Sequence, residues 1–126
     1  MPQYLFSVHA TAKEYNSSSK YGSYGSEEEM RQAMADTQAF NKSLEADDYL
    51  IFAGGLEPPE AAKTVDGQGT EAEISDGPVI GGDIHLSGFW VISAPTSDAA
   101  LKLAAEASKA CRSAVEVRPF NEFRSD

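Results

Sequence analysis

The sequence has few basic residues, a single cysteine and no long apolar run, and each shortage excludes a class of protein. Ten lysines and arginines against twenty aspartates and glutamates give a net charge of −10 over 126 residues, and this charge repels nucleic acid and anionic membranes. Cys111 alone cannot form an intramolecular disulfide or a paired-cysteine metal or redox motif. No apolar run approaches the roughly 20 residues that cross a bilayer. We therefore expect neither a nucleic-acid nor a membrane partner.

The first residues also lack the basic stretch, apolar core and small-residue cleavage site of a signal peptide. Together with the lone cysteine, this favours the reducing cytoplasm as the location of the protein. The length suits one domain over residues 1–126. Hydrophobic residues make up 41% of the chain, enough to bury roughly two-thirds of the unfolded surface, as a domain of this size should.

Hydrophobic periodicity predicts the secondary structure. Apolar runs and alternations indicate strands over 4–8, 49–53, 88–93 and 114–118. Ser26 followed by three glutamates is a capping box, and apolar residues at spacings of three and four continue that helix to about Ala46. A second helix opens at 95–98, and the turn residues 66–70 join two short strands over 61–65 and 71–75.

This order of elements predicts an α+β fold: a ferredoxin-like antiparallel sheet with two helices on one face and an inserted β-hairpin. Two helices cover only one face, whereas strands 49–53 and 88–93 are apolar on both. We therefore expect a symmetric homodimer that covers the second face. Residues 16–25, rich in serine, glycine and tyrosine, predict a mobile loop. Its two tyrosines, Tyr21 and Tyr24, could fold over a pocket.

Several segments carry a resemblance to a known family: residues 55–59, Thr64 with Val65, the Asp76-Gly77-Pro78 turn, the strand at 88–92 and the final 114–119. Over essentially its whole length the chain resembles the YCII-related proteins of the DGPF type. The resemblance implies a ferredoxin-like fold that dimerises into an α/β barrel. It also implies two kinds of function, because one relative is a dehydrochlorinase in chloroaromatic breakdown and others are labelled transcription initiation proteins.

The chain departs from the family pattern directly after the Asp76-Gly77-Pro78 turn. Family members usually continue it as Phe-Ala-Glu-Thr-Lys-Glu, whereas residues 79–84 here read Val-Ile-Gly-Gly-Asp-Ile. The acidic, basic and aromatic side chains of the family pattern are absent at these places. Any role that those side chains have in other family members therefore cannot be carried over to this chain. Only Asp76, Gly77 and Pro78 match the family motif and can be.

His9 and His85 are the first candidates for proton transfer, because imidazole titrates near neutral pH. Asp76 could orient an imidazole, or act as the base itself if apolar surroundings raise its pKa. Asp76 could equally accept only the N–H bonds of its own turn. Each histidine also has an ordinary interpretation as a surface or interface residue.

Other polar candidates give weaker signals. Asp83 and His85, two residues apart, point the same way in an extended chain, but with His9 they form only a sparse ligand set, and we expect no metal. Cys111 lies on the apolar stripe of the second helix, which favours a core residue over a nucleophile. Arg118 could hold an anionic ligand, but ion pairing on the sheet is the simpler interpretation.

Two functions remain open at this point. The first is a small-molecule-binding protein, or a cofactor-independent enzyme of proton transfer, elimination or isomerisation, with a pocket at the sheet or the dimer seam. Its polar groups would be His9, His85 and Asp76, and its binding residues Phe6, Tyr49, Phe89, Trp90 and Arg118. The second is a non-catalytic regulatory or protein-interaction module, since acidic charge suits a protein partner better than DNA.

Overall fold

The computed structural model describes residues 1–11 and 24–121, which form a four-stranded antiparallel sheet and two helices. The elements in chain order are β1 Gln3–Thr11, α1 Glu27–Ala46, β2 Leu50–Gly55, a 3₁₀ turn Pro59–Ala61, β3 Lys63–Asp66, β4 Glu73–Asp76, β5 Ile84–Ser93, α2 Ser97–Cys111 and β6 Glu116–Pro119. The order of strands in the main sheet is β2-β5-β1-β6, and every pair is antiparallel. This topology is of the ferredoxin-like type and confirms the predicted α+β class.

Strands β3 and β4 form a second, two-stranded antiparallel sheet that lies between β2 and β5 in the sequence. Val65 and Ile74 face each other across it, and both are exposed. The turn after β4 is attached to the start of β3, because Gly77 N donates to the Ala62 carbonyl at 2.9 Å and Thr64 Oγ1 to the Gly77 carbonyl at 2.8 Å. Gly77 has a φ of 96°, which favours glycine there.

Both helices begin at side chains that cap their free N–H groups. The Ser26 hydroxyl accepts from Glu29 N at 3.2 Å, and the Glu29 carboxylate accepts from Gly25 N at 2.9 Å. The Thr96 hydroxyl accepts from Ala99 N at 3.1 Å in the same way. These caps explain why the two helices start where the sequence predicts.

The core lies between the helices and one face of the sheet. In β1, Tyr4 and Phe6 face the helices opposite Ile92 and Trp90 of β5, and all four are buried. Helix α1 adds Phe40 and Leu44 to this cluster, and α2 adds a stripe of small residues, namely Ala100, Ala104, Ala107 and Ala110. The alternation predicted for 4–8 is therefore confirmed.

The other face of the sheet is not covered by either helix, and we call it the open face. It carries Leu5 and Val91, which pair in register, and the rings of Phe52 and Phe89, whose centroids are 5.8 Å apart. Phe52 is 56% exposed.

The structure describes only a small part of the loop that the sequence predicts before α1. The predicted loop over 16–25 lies outside the described residues except for Tyr24 and Gly25. Among the described residues, no helix has the length and apolar character needed to span a membrane.

Candidate functional site

A cavity of about 470 Å³ lies between α1 and the sheet, and we call it the α1 cavity. Its size falls within the usual range for sites that bind small molecules, about 300–1,000 Å³. Most of the wall comes from α1, β2 and β5, with single residues from β1, from α2 and from the segment before α1. The lining residues are Val8, Tyr24, Ala33, Met34, Thr37, Gln38, Asn41, Ala53, Gly54, Gly55, Ser87, Gly88, Phe89, Trp90 and Cys111.

The α1 cavity exists because small residues face each other across the interface. Val8, Gly88 and Gly55 are neighbours on adjacent strands and share the face of the sheet towards α1. A Cβ added to Gly88 would lie 3.1 Å from the Gly54 carbonyl oxygen, so the strands approach too closely there for a side chain. From α1, the small side chains of Ala33 and Thr37 line the same cavity. The missing side-chain volumes leave the hollow.

One polar contact in the wall joins a helix to a strand. Trp90 Nε1–H donates to Asn41 Oδ1 at 2.6 Å, and the indole ring meets the Phe40 ring edge-on at a centroid distance of 5.7 Å. Trp90 is buried, so this bond satisfies an indole N–H that would otherwise be costly. The Ser87 hydroxyl, also in the wall, donates to the Val8 carbonyl at 3.0 Å.

Cys111 contributes a neutral thiol to the wall. Burial raises the pKa of Cys111 above its ordinary value, and the Ser113 backbone and the nearby Arg112 only partly offset this rise. The thiol donates to the carbonyl oxygens of Ser108 and Ser113 at 3.9 and 3.8 Å. A thiol nucleophile needs a lowered pKa. The direction of this shift agrees with the interpretation of Cys111 as a packing residue.

The structure separates the predicted binding residues. Phe6 is fully buried in the core and Tyr49 packs against that core, and neither lines the α1 cavity. Trp90 and Phe89 are in the wall, but the ring of Phe89 lies beside Phe52 on the open face. Arg118 is exposed on β6, opposite Leu5.

The structure does not bring the three predicted catalytic residues to the α1 cavity. His9 pairs in register with Leu86 and His85 with Ala10, so the two imidazoles lie on opposite faces of the sheet. His85 Nε2–H donates to the Gly82 carbonyl at 2.9 Å. Asp76 is exposed and forms an ion pair with Lys63 across the small sheet. Within residues 1–11 and 24–121, no group of three or more His, Cys, Asp or Glu could hold a metal.

Sequence reasoning missed the polar residues that α1 gives to the cavity. Thr37 and Asn41 are four residues apart and therefore lie on the same side of α1, beside the buried Ala33 and Phe40. This placement was the available signal. Tyr24, one of the two tyrosines of the predicted loop, lines the cavity. Tyr21 lies outside the described residues.

The sequence is similar to a known protein family. A family model described as the YCII-related domain matches residues 6–124, nearly the whole chain. No curated protein matches the sequence. The match confirms the resemblance inferred from the sequence motifs at the level of the YCII-related domain.

Proposed function

The chain belongs to the YCII-related domain family, and we propose that it binds a small, neutral and largely apolar molecule in the α1 cavity. The observation that carries this proposal is the hollow itself. Glycines and other small residues of α1, β2 and β5 line part of it, whereas Phe40 and Leu44 of the same helix pack into the core. An apolar hollow with a few fixed polar groups is the usual form of a ligand site.

The chemistry of the wall favours binding over proton transfer. Among the described lining residues, only Tyr24 and Cys111 carry titratable side chains, and the raised pKa of Cys111 keeps its thiol protonated. No described lining residue is basic or acidic, which favours a neutral ligand. The histidines and Asp76 lie elsewhere, so an acid–base reaction in this cavity lacks an evident base.

Trp90 provides the test, because it is the only tryptophan of the chain and lies in the wall. We expect the neutral dye N-phenyl-1-naphthylamine to bind saturably and to change the Trp90 emission. Gly55→Leu places a side chain towards the hollow, where an added Cβ meets nothing closer than 3.9 Å. We expect it to weaken dye binding at least tenfold.

Gly67→Leu is the matched control, because Gly67 lies in the β3–β4 turn with nothing within 4 Å of an added Cβ. It should bind the dye like the unmodified protein. Equal binding by both variants, or no saturable binding by the unmodified protein, would contradict the proposed function.

We also propose that a second copy of the chain covers the open face. Phe52 on the edge strand β2 and Phe89 on the neighbouring β5 place apolar surface on it. Glu116 and Arg118, on the same face of β6, carry opposite charges, so a two-fold axis can set the acid of one copy against the base of the other. This local complementarity offsets the repulsion between two chains of net charge −10.

Sedimentation of the unmodified protein and of two variants tests the dimer. Phe52→Glu should give a monomer, because it buries an unpaired charge in the interface. Leu101→Glu on α2 is the matched control, since Leu101 is 55% exposed and Phe52 is 56% exposed. A monomeric unmodified protein at micromolar concentration would disprove the proposal.

A further inference from the structure

One polar group in the wall of the α1 cavity has an orientation that the protein itself fixes. An indole N–H can only donate, so the atom of Asn41 that faces Trp90 Nε1 at 2.6 Å must be the amide oxygen. The amide nitrogen of Asn41, with two N–H groups, therefore points away from Trp90. Rotating the amide would set two donors against each other.

The amide nitrogen of Asn41 has no partner among the described residues. Among the described residues, Ser7 Oγ is the one fully buried side-chain polar atom without a partner. The unpartnered amide nitrogen of Asn41 is therefore not fully buried. Asn41 lines the α1 cavity, so this donor is available to a ligand there. A donor held in place before binding costs little further ordering when the ligand arrives.

We infer that Asn41 determines the specificity of the α1 cavity by donating its Nδ2–H to a carbonyl oxygen of a neutral, otherwise apolar ligand. The inference rests on the proposed function of that cavity. A ketone, ester or lactone oxygen suits the site better than a carboxylate, because no cationic side chain is among the described lining residues. The mainly apolar wall around Ala33, Ala53 and Met34 would hold the hydrocarbon part.

Two probes of one shape test the inference: 2-acetylnaphthalene, and 2-isopropenylnaphthalene, in which a CH₂ group replaces the carbonyl oxygen. Their dissociation constants are measured by equilibrium dialysis at pH 8 with the unmodified protein and with Asn41→Asp. This substitution keeps an acceptor for the Trp90 indole and removes the donor. We expect the affinity ratio of ketone to alkene to fall about three- to tenfold, the value of one net hydrogen bond.

Gln32→Glu is the matched control, because it adds the same charge to α1 at a residue that does not line the α1 cavity. It should leave the ratio unchanged. A ratio that Asn41→Asp does not alter, while both probes bind, overturns the role of Asn41 and leaves the proposed function standing. An equal fall of the ratio in both variants also overturns the inference, since charge alone would then explain it. Failure of both probes to bind the unmodified protein overturns the inference and the proposed function together.

A second measurement needs no variant. The carbonyl stretch of 2-acetylnaphthalene labelled with ¹³C at the carbonyl should lie at lower wavenumber when bound to the unmodified protein than in hexane, because a hydrogen bond weakens the C=O bond. A bound frequency equal to that in hexane would overturn the inference.

Discussion

The interface between α1 and the sheet has a solid half and a hollow half, and one helix serves both. Phe40 and Leu44 fill the solid half against the buried side chains of β1 and β5. Ala33 and Thr37, each seven residues earlier on the same stripe, border the α1 cavity. Two helical turns thus separate a packed core from a ligand-sized space. Side-chain volume along a single amphipathic stripe decides which half gives stability and which gives a site.

The largest expected difference between the halves is in stability. Leu44→Ala removes a fully buried side chain and should lower the free energy of unfolding by about 2–5 kcal/mol. Met34→Ala, in the cavity wall and largely exposed, should lower it by less than about 1 kcal/mol. Urea unfolding measures both. Similar losses would mean that the hollow half is packed as tightly as the solid one.

The glycines of the hollow half sharpen the comparison. Gly88→Ala should lower the free energy of unfolding by about 1–3 kcal/mol, because its Cβ would lie 3.1 Å from the Gly54 carbonyl oxygen. Gly55→Ala has room and should leave stability unchanged or raise it by up to about 1 kcal/mol. Urea midpoints at constant slope distinguish the two. If Gly88→Ala does not lower the free energy of unfolding, the paired strands β2 and β5 have room for a Cβ at Gly88.

The boundary between the halves is the Trp90–Asn41 bond. Asn41→Leu leaves the buried indole N–H without its acceptor and should lower the free energy of unfolding by about 1–3 kcal/mol. Gln38→Leu, three residues earlier in the same wall, removes no side-chain hydrogen bond to another described residue and is expected to change stability by less than about 0.5 kcal/mol. Thermal unfolding followed by Trp90 emission tests the pair, and equal effects would show that this bond contributes nothing.

The smallest expected effect concerns the thiol in the wall and depends on pH. Because burial raises the pKa of Cys111, the folded state holds the proton more tightly than the unfolded state. This contribution to stability is fully present below the unfolded pKa and is lost as pH rises through the folded pKa. The unmodified protein should therefore lose slightly more stability than Cys111→Ala between pH 8 and pH 10, as measured by urea unfolding. Parallel losses would show that Cys111 is solvated.

The fold could be predicted from the sequence because its signals are local. Each cap, at Ser26 and at Thr96, joins residues that are three apart in the sequence. The stripe of α1 and the alternation of β1 likewise repeat at spacings of two to four residues. The order of these elements along the chain predicted the ferredoxin-like topology, and the resemblance to the YCII-related family agreed with it.

The site could not be predicted in the same way, because it depends on residues far apart in the sequence. The hollow needs Gly55 beside Gly88, and the polar anchor needs Trp90 beside Asn41, 49 residues away. Register also decides which face a histidine occupies, and the pairing of β1 with β5 shifts between Val8 and His9. Spacing along the chain does not report that shift, so the face of β5 on which His85 lies could not be assigned beforehand.

The β3–β4 hairpin pairs its strands with each other and stands apart from the four-stranded sheet. A change in the length of its tip around Gly67 and Gly69 therefore leaves the ladder that carries the cavity intact. Evolution can lengthen or trim this loop at little cost to folding, and an epitope or immobilisation tag grafted there should leave the rest of the protein as it is.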